Sequence, residues 1–183
     1  MPEAETAGRP RDWVMRRAGQ DDVDLLAIVG AATFLETFAD VHTGAEIVAH
    51  CRDEHSAAAY AQLFAKGADA WLVETRATGA PVGYAVLTPP DLPGMQPGDL
   101  ELKRIYFLAR LHGSGAAAAL IRDVIARAKA RGAKRLLLDV YSKNERAIAF
   151  YRKYGFEKIA DNRFFVGETG YDDWVLAAPL EAR

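Results

Sequence analysis

Arg110-Leu111-His112-Gly113-Ser114-Gly115-Ala116 stands between a predicted strand, Leu100 to Phe107, and a predicted Ala-rich helix, Gly115 to Arg131, which Gly132 closes. Glycines at such a turn let the backbone approach an anion closely, free N–H groups donate to it, and the helix dipole adds roughly half a positive charge. The same glycines also suit a tight strand-to-helix turn that binds nothing. Two other phosphate-binding turns compete for the segment. A Walker A loop ends in Gly-Lys-Ser/Thr, whereas Gly115 is followed by Ala116 and Ala117. The dinucleotide form G-x-G-x-x-G/A is met by Gly113, Gly115 and Ala118, with Asp139 placed downstream to meet a ribose. A dinucleotide turn, however, follows its strand at once and opens its domain. Here Leu108 to His112 intervene, and too little chain remains for two βαβαβ halves.

Outward from the turn, Lys134 to Val140 reads as a strand and Asn144 to Tyr154 as a helix ended by Gly155. Strands near Phe156 to Ile159 and Tyr171 to Ala177 close the chain. Upstream, Trp13 to Arg17 reads as a first strand, and Gln20-Asp21-Asp22 supplies N-cap chemistry for a helix ending near Asp40. Val23, Leu26, Ala27, Gly30, Ala31, Phe34 and Phe38 mark its buried face by three-and-four spacing. Thr43 with Glu46 matches a capping box and Ser56 is a second cap, so short helices are expected over Glu46 to Arg52 and Ala57 to Lys66. Trp71 to Val73 and Val82 to Leu87 read as a hairpin joined across Thr78-Gly79-Ala80-Pro81, and the prolines and glycines from Pro89 to Gly98 as a loop. The order predicts an α/β fold with a mixed sheet. Residues 1–12 are expected to form a disordered tail and 13–183 a single domain.

A chain of 183 residues with 50% hydrophobic content can bury a proper core. A net charge of -2 and no basic stripe argue against nucleic acid as partner. The lone Cys51 excludes an intramolecular disulfide and fits a reducing compartment. No apolar run approaches the ~18 residues of a membrane span, and the first twelve residues lack a signal-peptide core. A cytoplasmic protein without a membrane partner is the expectation.

Arg110, Gly113 and Gly115 match the Gln/Arg-x-x-Gly-x-Gly/Ala motif with which the GNAT superfamily binds pyrophosphate. Downstream, Asn144, Ala147, Tyr151, Gly155 and Phe156 fit that superfamily's Asn-x-x-Ala-x-x-x-Tyr-x-x-x-Gly-Phe signature at the expected distance. The chain thus resembles a GNAT N-acetyltransferase, which implies a mixed, largely antiparallel central sheet flanked by helices. A narrower resemblance, to PaiA-type spermidine/spermine acetyltransferases, lies in Thr33-Phe34-Leu35-Glu36-Thr37-Phe38 and in Leu100 to Tyr106. Ala117 departs from the superfamily's usual further glycine, and His112 from its usual basic or amide residue.

The resemblance implies acetyl-CoA as co-substrate, its pantetheine arm paired like an added strand with the backbone of Ile105, Tyr106 and Phe107. A bulge there would splay the sheet and aim an N–H near Phe107 at the thioester carbonyl. Gly113, Ser114, Gly115, Ala116, Ala117 and Ala118 would hold the pyrophosphate beside Arg110. Asn144 would bond the arm or simply cap its helix. Tyr151, a phenol of ordinary pKa about 10, would protonate the leaving thiolate, the bland alternative being a core tyrosine beside Phe150.

The amine must lose its charge before attacking, and Glu101 is the candidate base. Regular pairing would place it on the strand face of Lys103, Ile105 and Phe107, although a solvated carboxylate is an equal reading. Glu36 and Asp40 could pair with a cationic acceptor or simply face solvent. His42, His50 and His55 lack a metal-ligand pattern and read as surface histidines, and Cys51 as a small buried hydrophobe. The expected function is direct acetyl transfer to a small primary amine such as a polyamine. A protein N-terminal or lysine acetyltransferase, and a CoA-binding module without catalysis, remain alternatives. A homodimer is left open.

Overall fold

The computed structural model describes residues 12–167 and 169–180. The expected tail therefore lies outside the described residues apart from Asp12, whose carbonyl accepts the Arg76 N–H at 2.8 Å. The elements run β1 (Trp13–Ala18), α1 (Val23–Phe38), α2 (Gly44–Glu54), α3 (Ala57–Ala65), β2 (Asp69–Thr75), β3 (Pro81–Thr88) and β4 (Asp99–Phe107), then α4 (Ala116–Ala130), β5 (Arg135–Tyr141), α5 (Glu145–Arg152), β6 (Glu157–Val166) and β7 (Thr169–Pro179). Short 3-10 turns precede α1 and follow β4.

The strands form one seven-stranded sheet in the order β1-β2-β3-β4-β5-β7-β6. Every neighbouring pair is antiparallel except β4 with β5. That parallel pair is short: Asp99, Leu100 and Glu101 match Arg135, Leu136 and Leu137, and no register continues beyond. From Leu102 onward β4 stays with β3, while β5 stays with β7 through Tyr141. The sheet therefore parts between its two central strands.

Local chemistry explains most of the boundaries. Thr43 accepts the Glu46 N–H at 3.2 Å while the Glu46 carboxylate takes the Thr43 N–H at 2.9 Å, the reciprocal box that starts α2. Ser56 takes the Ala59 N–H at 3.1 Å and starts α3. Gly115, at φ 82, caps α4 in the left-handed region.

Two layers cover the sheet. Ala116, Leu120, Ile121, Val124 and Ala128 of α4, with Ile148 and Tyr151 of α5, pack on one face against Leu100, Leu102, Leu136 and Leu138. Leu26 and Val29 of α1 and Tyr60 of α3 cover the other through Leu72, Tyr84 and Val86. Buried Val29 and Thr33 rotate the inner face of α1 from the predicted stripe, while Ala27 and Ala31 are only half-buried.

Two expectations are corrected. The closing strands are far longer than predicted: β6 runs to Val166 and β7 begins at Thr169, a hairpin paired from Glu157 with Ala177 to Val166 with Thr169. The histidines are not on the surface. His42 and His55 are buried and His50 is half-buried.

Candidate active site

Beside the parting of the sheet, Gly113 and Gly115 take φ of 79 and 82, which turns their peptide groups as an L side chain would resist. Helix α4 has no side-chain cap at its Gly115 start. The Ala116 N–H reaches only the Ser114 hydroxyl, at 3.3 Å, and the first intrahelical bond is from the Ala119 N–H to the Gly115 carbonyl. The N–H groups of Ala117 and Ala118 thus lack a helical partner, as first-turn donors do. The turn presents a concentration of donors at the positive end of a helix, and Arg110 is exposed on the 3-10 turn before it. Arg146 of α5 lies 3.3 Å from the His112 Nδ1, so a guanidinium stands beside the turn.

The β4 edge supplies further open donors. The Leu108 N–H bonds the Val82 carbonyl at 2.9 Å, which fixes the phase of the β3–β4 ladder. With Tyr84 opposite Tyr106 and Ala85 opposite Ile105, alternation gives the Tyr106 N–H and carbonyl to β3 and turns those of Ile105 and Phe107 outward. Outward is the side that β5 has left. The bulge expected at Ile105 to Phe107 lies earlier: Val86 pairs with Arg104 and Leu87 with Leu102, leaving Lys103 as the extra residue.

That bulge moves Glu101. Leu100 and Leu102 share the α4 face with Ile105 and Phe107, so Glu101 projects from the opposite face, not from theirs as regular pairing predicts. It is buried rather than solvated. One oxygen accepts the Asp91 N–H at 2.8 Å, and the other lies 3.9 Å from the Lys103 ammonium. Burial raises its pKa above the ordinary glutamate value despite that ammonium.

Tyr151 is 9% exposed on α5, its ring 5.5 Å from Phe150 and 5.7 Å from Phe156 by centroids. Its hydroxyl makes no hydrogen bond among the described residues. Burial, reinforced by Tyr106 across the parting, raises its pKa well above the ordinary phenol value used in the sequence reading. Asn144 caps α5, its Oδ1 taking the Ala147 N–H at 3.1 Å.

On the face opposite α4, the end of α1 packs against α2 and the β6–β7 hairpin through rings. Phe34 stacks on His50 at 4.1 Å, His50 meets Phe164 at 6.1 Å, and Tyr171 shares a 2.8 Å hydrogen bond with His42. Burial lowers the pKa of His42, His50 and His55, the last to about 3, so the three rings are neutral near pH 7. No metal-holding group of histidine, cysteine and carboxylates occurs among the described residues. Glu36 is exposed and takes the Ala109 N–H at 2.7 Å, tying α1 to the end of β4, and Asp40 is exposed just past α1. The sequence reading passed over Asp173, buried on β7; its signal was an Asp172-Asp173 pair inside a predicted strand, where aspartate is disfavoured.

The sequence profile of the acetyltransferase (GNAT) family matches residues 33–156. An uncharacterized N-acetyltransferase, Rv2669 of Mycobacterium tuberculosis, is 35% identical over 159 residues, covering 87% of this chain and 98% of that one. Among solved structures, the PaiA N-acetyltransferase of Thermoplasma acidophilum in complex with coenzyme A superimposes with a TM-score of 0.72 at 17% identity, over 91% of this chain and 98% of that one. The ribosomal-protein-S18-alanine N-acetyltransferase of Escherichia coli gives 0.64 at 18% identity, over 93% and 96%.

Proposed function

The chain belongs to the acetyltransferase (GNAT) family, and from that premise we propose that it transfers the acetyl group of acetyl-CoA to a small primary amine of polyamine type, by direct attack and without an acyl-enzyme. The observation that carries the reading is the parted sheet, with the outward N–H and carbonyl groups of Ile105 and Phe107 running toward the donor-rich turn at Gly113 and Gly115.

The residues fit the cofactor by their own chemistry. Gly113, Ser114, Gly115, Ala116, Ala117 and Ala118 offer backbone donors to a pyrophosphate, with Arg110 and Arg146 adding charge. The Ile105 and Phe107 edge suits the amide-bearing pantetheine arm as an added strand, with Tyr106 setting the register from its bonds to β3. When bound, acetyl-CoA supplies an activated acyl group. The Phe107 N–H stabilises negative charge developing on the acyl oxygen. The Asn144 Nδ2 stays available to the arm while its Oδ1 caps α5.

Tyr151 keeps its proton at physiological pH and bonds no other described residue, so its hydroxyl donates to the departing sulfur. Its raised pKa favours donation of a strong hydrogen bond with the proton passing late, rather than early transfer. A carboxylate must take the amine's proton from the opposite face, where Glu101 is the candidate read from the sequence. Glu36 and Asp40 give negative charge near the aromatic end of α1, which suits a cationic acceptor. A cytoplasmic setting and a homodimeric state belong to the same proposal, and sedimentation checks the second.

The test is calorimetry of acetyl-CoA binding together with release of free CoA thiol against spermidine, spermine, a lysine ester and an alanyl peptide. Turnover with the polyamines is the expected result. Preferred turnover of the peptide would move the acceptor to a protein N-terminus, and absence of acetyl-CoA binding would refute the reading.

A further inference from the structure

Two carboxyl groups without a task so far meet just past the point where β4 and β5 separate. Asp139 of β5 pairs with Val175, and Tyr141 with Asp173 of β7, so Asp139 and Asp173 occupy diagonal positions on one face of the sheet. It is the face opposite α4, because Leu137 packs with Val175 and Ala177 while Leu136 and Leu138 join the α4 core. Glu101 projects from this same face.

Asp173 is 8% exposed, and its Oδ1 has no hydrogen-bond partner among the described residues. Asp139 Oδ2 accepts from the Asn162 Nδ2 at 3.0 Å, but its Oδ1 is likewise buried and unpartnered. The two carboxyl groups lie close enough for each to shift the other's pKa. Buried carboxylate oxygens without donors are costly, so the arrangement calls for a donor from outside the chain. The groups facing the pair are Glu101, Lys103 and Tyr106 of β4, Asn162 of β6, and Asp172 beside Asp173. Lys103 is the only cation among them, and it also lies toward Glu101.

From this placement we infer that the Asp139–Asp173 pair is the site that receives the acceptor ammonium and takes its proton, which the two carboxyl groups then share. The inference rests on the N-acetyltransferase reading and names the proton acceptor within it. The ionised pair offers negative charge beside the rings of Tyr106, Tyr141 and Tyr171, which is surroundings for a cationic amine and not for a carboxylate substrate. In the step, one ammonium proton passes to the ionised pair, and the freed nitrogen lone pair forms the bond to the acetyl carbon. The C–S bond breaks with its electrons on sulfur, and the thiolate is protonated by way of Tyr151. The nitrogen's surplus proton replaces, through solvent, the one Tyr151 gave up, and the pair's acquired proton is released to solvent, one net proton per turnover. Glu101 is less suited to this work because the Asp91 N–H already engages it at 2.8 Å.

Burial and then repulsion by Asp139 raise Asp173 to about 7, and burial raises Asp139 as well. Raised in this way, the pair is a stronger proton acceptor than an ordinary carboxylate. Such a pair titrates as a unit, in two steps.

The test uses the full chain labelled with 13Cγ-aspartate. Two carboxyl resonances should move together, one of them with a midpoint near neutrality, and Asp173→Asn should abolish that midpoint. Two independent titrations in the ordinary aspartate range would overturn the inference. With acetyl-CoA saturating and whichever of spermidine, spermine, lysine ester or alanyl peptide turns over fastest, kcat/KM of the wild type should rise through the same midpoint. Asp173→Asn and Asp139→Asn should each remove that limb and lower kcat at least ~10²-fold, while calorimetry shows acetyl-CoA affinity within about 3-fold of wild type. Survival of the limb in Asp173→Asn, or its loss in Glu101→Gln instead, would also overturn it. Failure of the wild type to bind acetyl-CoA would sink the acetyltransferase reading itself, a result distinct from a lost limb with binding intact.

Discussion

Replacing Tyr151 with phenylalanine removes one oxygen from a ring that is 9% exposed and keeps its neighbours Phe150 and Phe156 at 5.5 and 5.7 Å. Because the hydroxyl bonds no described residue, its loss strands no buried partner and opens no sizeable cavity. Stability should therefore change by no more than about 0.5 kcal/mol, which for a chain of this size is under ~2 °C in Tm. Turnover should fall ~10²-fold or more, about 2.7 kcal/mol of transition-state stabilisation, with the acetyl-CoA Kd unaltered. Single-turnover mixing isolates the chemical step. The pH dependence adds an independent sign. A phenol whose pKa is raised by folding contributes stability that is present below the unfolded value of about 10 and lost as pH climbs past it. Wild type and variant should thus melt alike up to about pH 9, and the wild type should lose more above it. Full single-turnover rate in the variant would refute the proton-donor role and return Tyr151 to the core.

Gly113→Val or Gly115→Val meets no neighbouring atom but forces a branched residue to φ near 80, so the acetyl-CoA Kd by calorimetry should rise at least ~10-fold, about 1.4 kcal/mol. Unchanged affinity would make the turn purely structural. The pair Glu36→Gln with Asp40→Asn should raise KM for spermidine and leave the acetyl-CoA Kd alone; equal kinetics would remove the polyamine argument and leave the acetyltransferase reading standing. Gly30→Ala drives a methyl into both the Tyr60 hydroxyl and the His55 Nδ1, which bond each other at 2.9 Å, so thermal melts should show a loss of ~1–3 kcal/mol.

Much of the site was legible in the linear sequence because its signals are local. Gly113, Gly115, Asn144 and Tyr151 act through turn geometry, a cap and a helix face, all set within a few residues of chain. The box of Thr43 with Glu46 and the cap at Ser56 are local in the same way. The length of β6 was not legible, because most of its side chains are exposed and burial leaves little periodic pattern. Only pairing with β7 makes it a strand. The parting of β4 from β5 is equally absent from the sequence, since it depends on which strand each keeps as partner after Glu101 and Leu137. Glu101 shows the difference most sharply. Alternation by twos assigns its face only while pairing stays regular, and one extra residue at Lys103 reverses the face of everything before it relative to everything after. The sequence by itself determined the family and singled out the glycine turn and the Tyr151 phenol as candidates. Tertiary structure alone decided that Asp139 and Asp173 share one face, because they lie 34 positions apart in sequence and become neighbours only when β5 and β7 pair.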